Sequence, residues 1–315
     1  MRLNMLAGLL LVGSAPPSMG ASAAPGDGPV IDMHVHAMSR TLLAPISACS
    51  GEQPVGYPAV DPAHPMTSEA LEICSRPLQS ATAPAELRDR TLAALRAHKV
   101  RRAVVIANLD ALADWVARAP EMVIPASIPG GGDGPPDLTT LTRAQAAGKV
   151  AIFAELGTQY IGRSADDPQF EPFWALAERL DVPVGIHLGD GMPRGRSDLR
   201  DRYRAALTSP FQLEAVLIRH PKLRIYVMHA ASPLIDEMIA MLFRYPSLYV
   251  DIAANDWSMP RVRFFGELKR LVDAGFGERI LFGSDQTLFP QAIGLAIATI
   301  NDAPFLTRLQ KRDIL

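Results

Sequence analysis

Eight short apolar runs rich in valine and isoleucine recur along this chain, and most are followed by a stretch with helical spacing. They are Val30–His36, Val100–Asn108, Met122–Pro129, Val150–Gly157, Pro183–Gly189, Arg224–Ala230, Leu248–Asn255 and Ile280–Asp285. Runs without polar alternation suit strands buried on both faces, and helix-length connections are what parallel neighbours require. The intervening pieces Pro84–His98, Leu109–Ala119, Leu138–Ala147, Phe170–Leu180, Pro210–His220, Pro233–Phe243 and Pro260–Ala274 place Ala, Leu and Arg at helical spacing. Several begin at or just after a proline, which fits a first helical turn. Eight strand–helix units predict a closed (β/α)8 TIM barrel, a fold that typically needs roughly 250 residues plus insertions. An open doubly wound sheet would want a Gly-x-Gly-x-x-Gly after a strand, and none occurs. The glycine-rich run Pro129–Pro136 has no following Gly-Lys-Ser/Thr and reads as a loop, not a phosphate cradle.

The chain opens with Arg2, an apolar run from Met5 to Gly13 and small residues ending at Ala21-Ser22-Ala23, the layout of a secretory signal over residues 1–23. The barrel domain is then residues 24–315, and a periplasmic or secreted location is expected. No later run is long and uncharged enough to span a bilayer, so no membrane association is expected after cleavage. With 48% hydrophobic and 20% charged residues the remainder can bury a full core, and the net charge of −2 argues against nucleic acid as a partner. Both cysteines, Cys49 and Cys74, lie in the long polar loop Ala37–Ala83 after the first strand, where an oxidising compartment would let them pair. A second insertion, Asp190–Ser209, follows the fifth strand. Both insertions fall at the C-terminal face, where such barrels build their sites.

The polar residues at the strand ends carry the chemistry. His34 and His36 end the first strand, Glu155 the fourth, His187 the fifth, His229 the sixth and Asp285 the eighth. Alternation along a strand points His34 and His36 the same way, into the barrel mouth, with Val35 facing the helices. A single histidine at a strand end is ordinarily a satisfied core residue. Four of the seven histidines at the same end of three strands, with two acids beside them, predict a metal site. His98 and His220 stand at helix ends, where a cation complements the dipole, and His64 lies in the cysteine loop, where it could touch substrate. Arg194, Arg196 and Arg200 in the second insertion read as a solvated basic face near Asp190, Asp198 and Asp201, with pairing to a substrate carboxylate as the alternative.

The elements "DMHVH", "AELG", "GIHLG", "VMHAAS" and "LFGSDQ", in this order from about Val30 to Gln286, resemble the amidohydrolase superfamily, and specifically its amidohydrolase-2 branch of metal-dependent hydrolases and non-oxidative decarboxylases. The resemblance implies that His34, His36 and His187 bind a divalent metal, with Zn²⁺ the first choice. Asp285 would bind or orient the attacking water and shuttle its proton, and His229 would stabilise charge or act as acid–base. Glu155 takes the position where related subgroups place a carboxylated lysine or a glutamate that contacts metal. One departure is that the chain stops at Lys311–Leu315, where relatives usually continue through a closing Asn-Ala segment, so the options are a truncated sequence or a homo-oligomer covering that edge.

Two-metal members commonly use a carboxylated lysine as bridge. The five lysines exclude one here: Lys99, Lys149 and Lys222 precede strands, at the opposite face, and Lys269 and Lys311 lie on a helix and in the tail. One ion held by His34, His36, His187 and Asp285 is therefore favoured over two, and a second would have to use Glu155. The expected activity is hydrolysis of a small carboxylic ester, lactone or amide by metal-activated water. A decarboxylase of the same branch is the alternative. A non-catalytic periplasmic metal-binding protein is a third, disfavoured because Asp285 is present. No Gly-x-Ser-x-Gly supports a serine hydrolase.

Overall fold

The computed structural model describes residues 28–38, 46–57, 73–129, 135–190 and 202–315. The segment 1–23 read as a secretory signal, His64, and Arg194, Arg196 and Arg200 lie outside them. Strand β1 (Val30–His36) is followed in the first insertion by a short antiparallel pair, β2 (Ser47–Ala48) and β3 (Leu78–Gln79). The other strands are β4 (Val100–Ala107), β5 (Val123–Ser127), β6 (Ile152–Leu156), β7 (Val184–His187), β8 (Ile225–Met228), β9 (Leu248–Asp251) and β10 (Ile280–Leu281). Together with β1 they form one parallel sheet of eight strands in the order β1-β4-β5-β6-β7-β8-β9-β10. That is the eight-stranded barrel the apolar runs predict.

Helices follow the strands: α1 (Pro84–Ala97), α2 (Leu109–Arg118), α3 (Leu138–Ala146), α4 (Glu171–Leu180), α5 (Glu214–Arg219), α6 (Ile235–Arg244), α7 (Asn255–Ser258), α8 (Arg261–Asp273), α9 (Ala292–Asp302) and α10 (Arg308–Ile314). Local chemistry sets their starts. Pro84 opens α1, Asn108 accepts from the Ala111 amide to cap α2, Asp137 accepts from Thr139 and Thr140 to cap α3, and Thr307 with Gln310 forms a capping box on α10.

The pleat divides the apolar side chains into two layers. Val104, Ile106, Ala126, Ile152, Ala154, Tyr226 and Met228 fill the barrel interior. Ala103, Val105, Ala107, Val35, Phe153, Ile186, Val227 and Val250 belong to the larger layer shared with the helices. Burying each large aliphatic or aromatic side chain is worth about 1.5–3 kcal/mol, which is why both faces of each strand are apolar.

Three expected elements end differently. The stretch Pro210–His220 begins as a 3-10 turn, Pro210–Leu213, before α5. The seventh strand stops at Asp251, because Ala254 at φ +60° turns the chain into α7. The last strand pairs over only two residues, because its ladder partner β9 ends at Asp251, opposite Leu281. Between β10 and β1 the seam is closed piecemeal. Ile31 and Phe282 amides donate to the Leu315 and Ile314 carbonyls at 2.7 and 3.1 Å, and the Met33 amide donates to Phe282 O at 2.9 Å. Higher up, Asp32 Oδ1 accepts from the amides of His34 and Ser284 at 3.0 and 2.9 Å. At the top, the Asp285 amide donates to His34 O at 2.7 Å, and the Gln286 side chain both accepts from the His36 amide (2.9 Å) and donates to the His36 carbonyl (2.7 Å).

The first insertion is pinned by a Cys49–Cys74 disulfide. Its Gly51 amide donates to Trp257 O at 2.7 Å and its carbonyl accepts from the Arg261 amide at 3.1 Å, docking the loop on α7 and the start of α8.

On the outer shell His220, the residue closing α5, stands between two carboxylates of α4, with Nε2 2.9 Å from Glu171 and Nδ1 3.2 Å from Glu178. Partial burial opposes ionisation of Glu171, but the bonds from His220 and Arg219 hold its carboxyl below the usual range. Glu178 is held low by the Lys222 amide and by His220. A depressed folded-state carboxyl stabilises above the ordinary glutamate value of about 4.3 and loses that contribution as pH falls through the lowered one. In urea denaturation, His220→Ala should therefore lie further below the native protein near about pH 5.5, where imidazole is ordinarily charged and the carboxyls ionised, than near about pH 3. An equal gap at both pH values would show that the clasp contributes no ion pairing.

Candidate functional site

All six strand-end residues singled out in the sequence meet at the C-terminal mouth. His34 Nε2 lies 3.0 Å from His36 Nε2, and Asp285 Oδ1 lies 3.2 Å from His36 Nε2 and 3.7 Å from His34 Nε2. Glu155 bridges to the other half: its Oε2 is 3.5 Å from His36 Nε2, and its Oε1 is 3.8 Å from His187 Nε2 and 3.6 Å from His229 Nε2. Their ligand atoms gather into triads whose members lie within 4.8 Å of one another. One is His34, His36 and Asp285, and another is Glu155, His187 and His229. His187 thus groups with Glu155 and His229, not with the other residues of the four-ligand set expected from the sequence.

The backbone is bent to make this arrangement. His229 has φ +61° and Asp285 φ +41°, left-handed conformations that cost a non-glycine residue on the order of 1–3 kcal/mol. Neighbouring glycines leave room: a Cβ at Gly283 would lie 2.7 Å from His34 Cβ, and one at Gly189 would lie 2.8 Å from His229 Cβ.

Hydrogen bonds aim each imidazole. Asp251 Oδ2 lies 3.1 Å from His34 Nδ1, and its Oδ1 accepts from the amides of His229 (2.8 Å) and Ala253 (3.1 Å). His229 Nδ1 is 2.9 Å from the Ala253 carbonyl, which can only accept, so this nitrogen carries hydrogen and Nε2 faces the site. Asp251, Gln159, Tyr160 and Gln286 are site residues that the sequence reading passed over. Asp251 ends the seventh strand, so the rule that found the other six applies to it too; Gln286 closes the LFGSDQ element, and nothing in spacing or composition marks Gln159 and Tyr160.

Buried charge is balanced within the cluster. Burial alone would lower His34, but Asp285, Asp251 and Glu155 push its pKa up to about 10. Burial keeps His187 neutral, taking it down to about 3. Burial opposes ionisation of Glu155, yet His229 and the charged His34 beside it hold its carboxyl well below the usual range. Asp285 is likewise held low, by His34 and His36 against its own burial.

This donor set fits a divalent cation. Asp285 Oδ1 is buried yet in hydrogen-bonding geometry with nothing, and two imidazole nitrogens face each other at 3.0 Å. Imidazole nitrogen with carboxylate oxygen suits Zn, Mn, Co or Fe. Among the described residues no lysine ends a strand at the mouth; Lys149 precedes β6, while Glu155 stands near its far end.

A family model described as Amidohydrolase, of the amidohydrolase-2 type, matches residues 31–315. The chain belongs to this amidohydrolase family. No curated protein matches it. Among solved structures, the amidohydrolase barrel is similar to a probable 2-pyrone-4,6-dicarboxylic acid hydrolase from Acinetobacter baumannii with citric acid bound, at 12% identity and TM-score 0.58, covering 91% of this chain and 96% of that one. It is also similar to the 5-carboxyvanillate decarboxylase of Sphingomonas paucimobilis, at 13% identity and TM-score 0.52, covering 71% and 78%. A 5-carboxyvanillate decarboxylase of Novosphingobium aromaticivorans with bound manganese matches at 15% identity and TM-score 0.50, covering 71% and 77%. At these identities the likeness is one of fold.

Outer partners of metal ligands commonly contribute 10–100-fold in affinity. Asp251→Asn leaves the volume in place but weakens the bond to His34 Nδ1, so the variant should bind Zn²⁺ or Mn²⁺ roughly 10-fold or more weakly in a chelator competition. Unchanged affinity would show that Asp251 serves the fold alone.

Proposed function

We propose that this amidohydrolase is a metal-dependent hydrolase of a small carboxylic ester, lactone or amide. The observation that carries the proposal is the buried Asp285 Oδ1, an ionised carboxylate oxygen without a hydrogen-bond partner beside a convergent set of imidazoles. A divalent ion bound there, with Zn²⁺ the first choice, would supply Lewis acidity toward a carbonyl and lower the pKa of a water from 15.7 toward ~7. His34, His36 and Asp285 would hold the ion the chemistry needs, with His187 as a further ligand. Glu155, His187 and His229 offer room for a second ion.

The Asp285 carboxylate accepts the proton of the attacking water and returns it to the leaving group. His229, with its Nε2 turned into the mouth by the Ala253 carbonyl, steadies the charge that develops on the carbonyl oxygen. Asp251 keeps His34 in one orientation, and Gln286 holds the His36 backbone beside Asp285. The Cys49–Cys74 disulfide supports a periplasmic or secreted location.

Two measurements test the proposal. Elemental analysis of protein purified without added metal should give about one ion per chain. A value near two would assign the second triad as well, and a value near zero would overturn the metal centre. Asp285→Asn should lower kcat on an ester and lactone panel by about 10²-fold or more while leaving metal bound. The same fold serves decarboxylases, so release of CO₂ from an aromatic acid, with no acid released from the panel, would replace hydrolysis by decarboxylation.

A further inference from the structure

Gly189 fixes the orientation of Gln159 and, through it, the proton on His187. The Gly189 amide donates to Gln159 Oε1 at 3.4 Å, and the Gly189 carbonyl accepts from Gln159 Nε2 at 3.1 Å. Thr208 Oγ1 and the Tyr203 hydroxyl also lie within reach of Gln159 Nε2, at 2.7 and 2.9 Å, and share its second hydrogen. Turning the amide round would set donor against donor and acceptor against acceptor at Gly189. Gln159 Oε1 therefore receives the Nδ1 proton of His187, at 3.2 Å, and the lone pair of the neutral ring is on Nε2.

The Tyr160 hydroxyl lies 2.7 Å from that Nε2 and must donate to it. The ring is seated for this bond. Tyr160 sits on the 3-10 turn Thr158–Ile161 that follows β6, its ring centroid is 4.4 Å from that of His187, and a Cβ at Gly157 would come within 2.9 Å of the Tyr160 ring. One lone pair serves one partner. A cation held by His187, in either grouping of ligands, would use the same pair of electrons as the tyrosine O–H.

We propose that Tyr160 competes with the metal ion for His187, so that loading the centre requires its hydroxyl to leave Nε2. This rests on the metal-centre reading above and adds to it a residue of this chain that sets how tightly the ion is held.

The test is a competition titration of chelator-stripped protein with Zn²⁺ and with Mn²⁺, on the native chain, Tyr160→Phe and His187→Ala. A neutral hydrogen bond is worth roughly a 3- to 10-fold change in an equilibrium. Tyr160→Phe should therefore bind metal about 3- to 10-fold more tightly, while His187→Ala binds more weakly. Loading the native chain should also give a tyrosine ultraviolet difference spectrum that Tyr160→Phe lacks. Metal binding that Tyr160→Phe leaves unchanged overturns the competition alone. Weaker binding by Tyr160→Phe overturns it in favour of the phenol oxygen as a ligand. No binding by the native chain overturns the metal centre and the competition together.

Discussion

The structure depends on how the first and last strands of the barrel are joined. β1 brings His34 and His36, and the segment after β10 brings Asp285, so whatever closes that seam also sets the distances within the site. A regular parallel ladder would join the two edges by backbone bonds alone. Instead the Asp32 carboxylate, the Gln286 amide and the carbonyls of Ile314 and Leu315 supply much of the closure. Side-chain closure lets Asp285 take a left-handed backbone conformation beside His34 without losing the hydrogen bonds that hold the edge, including its own amide bond to His34 O.

The cluster is also an electrostatic unit. Four imidazoles and three carboxylates share a nearly dry space, and removing any one leaves others without a partner. His34 is drawn toward protonation by acids on three sides, while His187, a few ångströms away, is kept neutral by burial. The same negative potential that raises His34 would attract a cation. Asp32, two residues before His34, also feels the cost of desolvation, with burial pushing its carboxyl up to about 6.

Much of this was legible in the sequence because it depends on local pattern. Apolar runs of strand length and helical spacing between them foretell the barrel, and polar residues at the ends of those runs foretell which side chains meet. What was not legible depends on partners distant in sequence. The clasp of Gln286 on His36 spans 250 residues, and the aim of His34 follows from Asp251, 217 residues on. The grouping of His187 and His229 with Glu155 follows from that acid reaching across the mouth, which no spacing encodes. Tyr160 lies in a turn of ordinary composition, and only the fold shows which nitrogen it meets.

The docking of the disulfide loop extends the site outward. Gly51 binds the backbone of Trp257, and the Trp257 indole donates to Ser284 O at 2.7 Å, one residue before Asp285. The disulfide is thereby linked to the Asp285 carboxylate through two hydrogen bonds and one aromatic ring. For anyone producing the protein, the choice of an oxidising or reducing compartment is a choice about how firmly that carboxylate is mounted, even where the barrel itself folds either way.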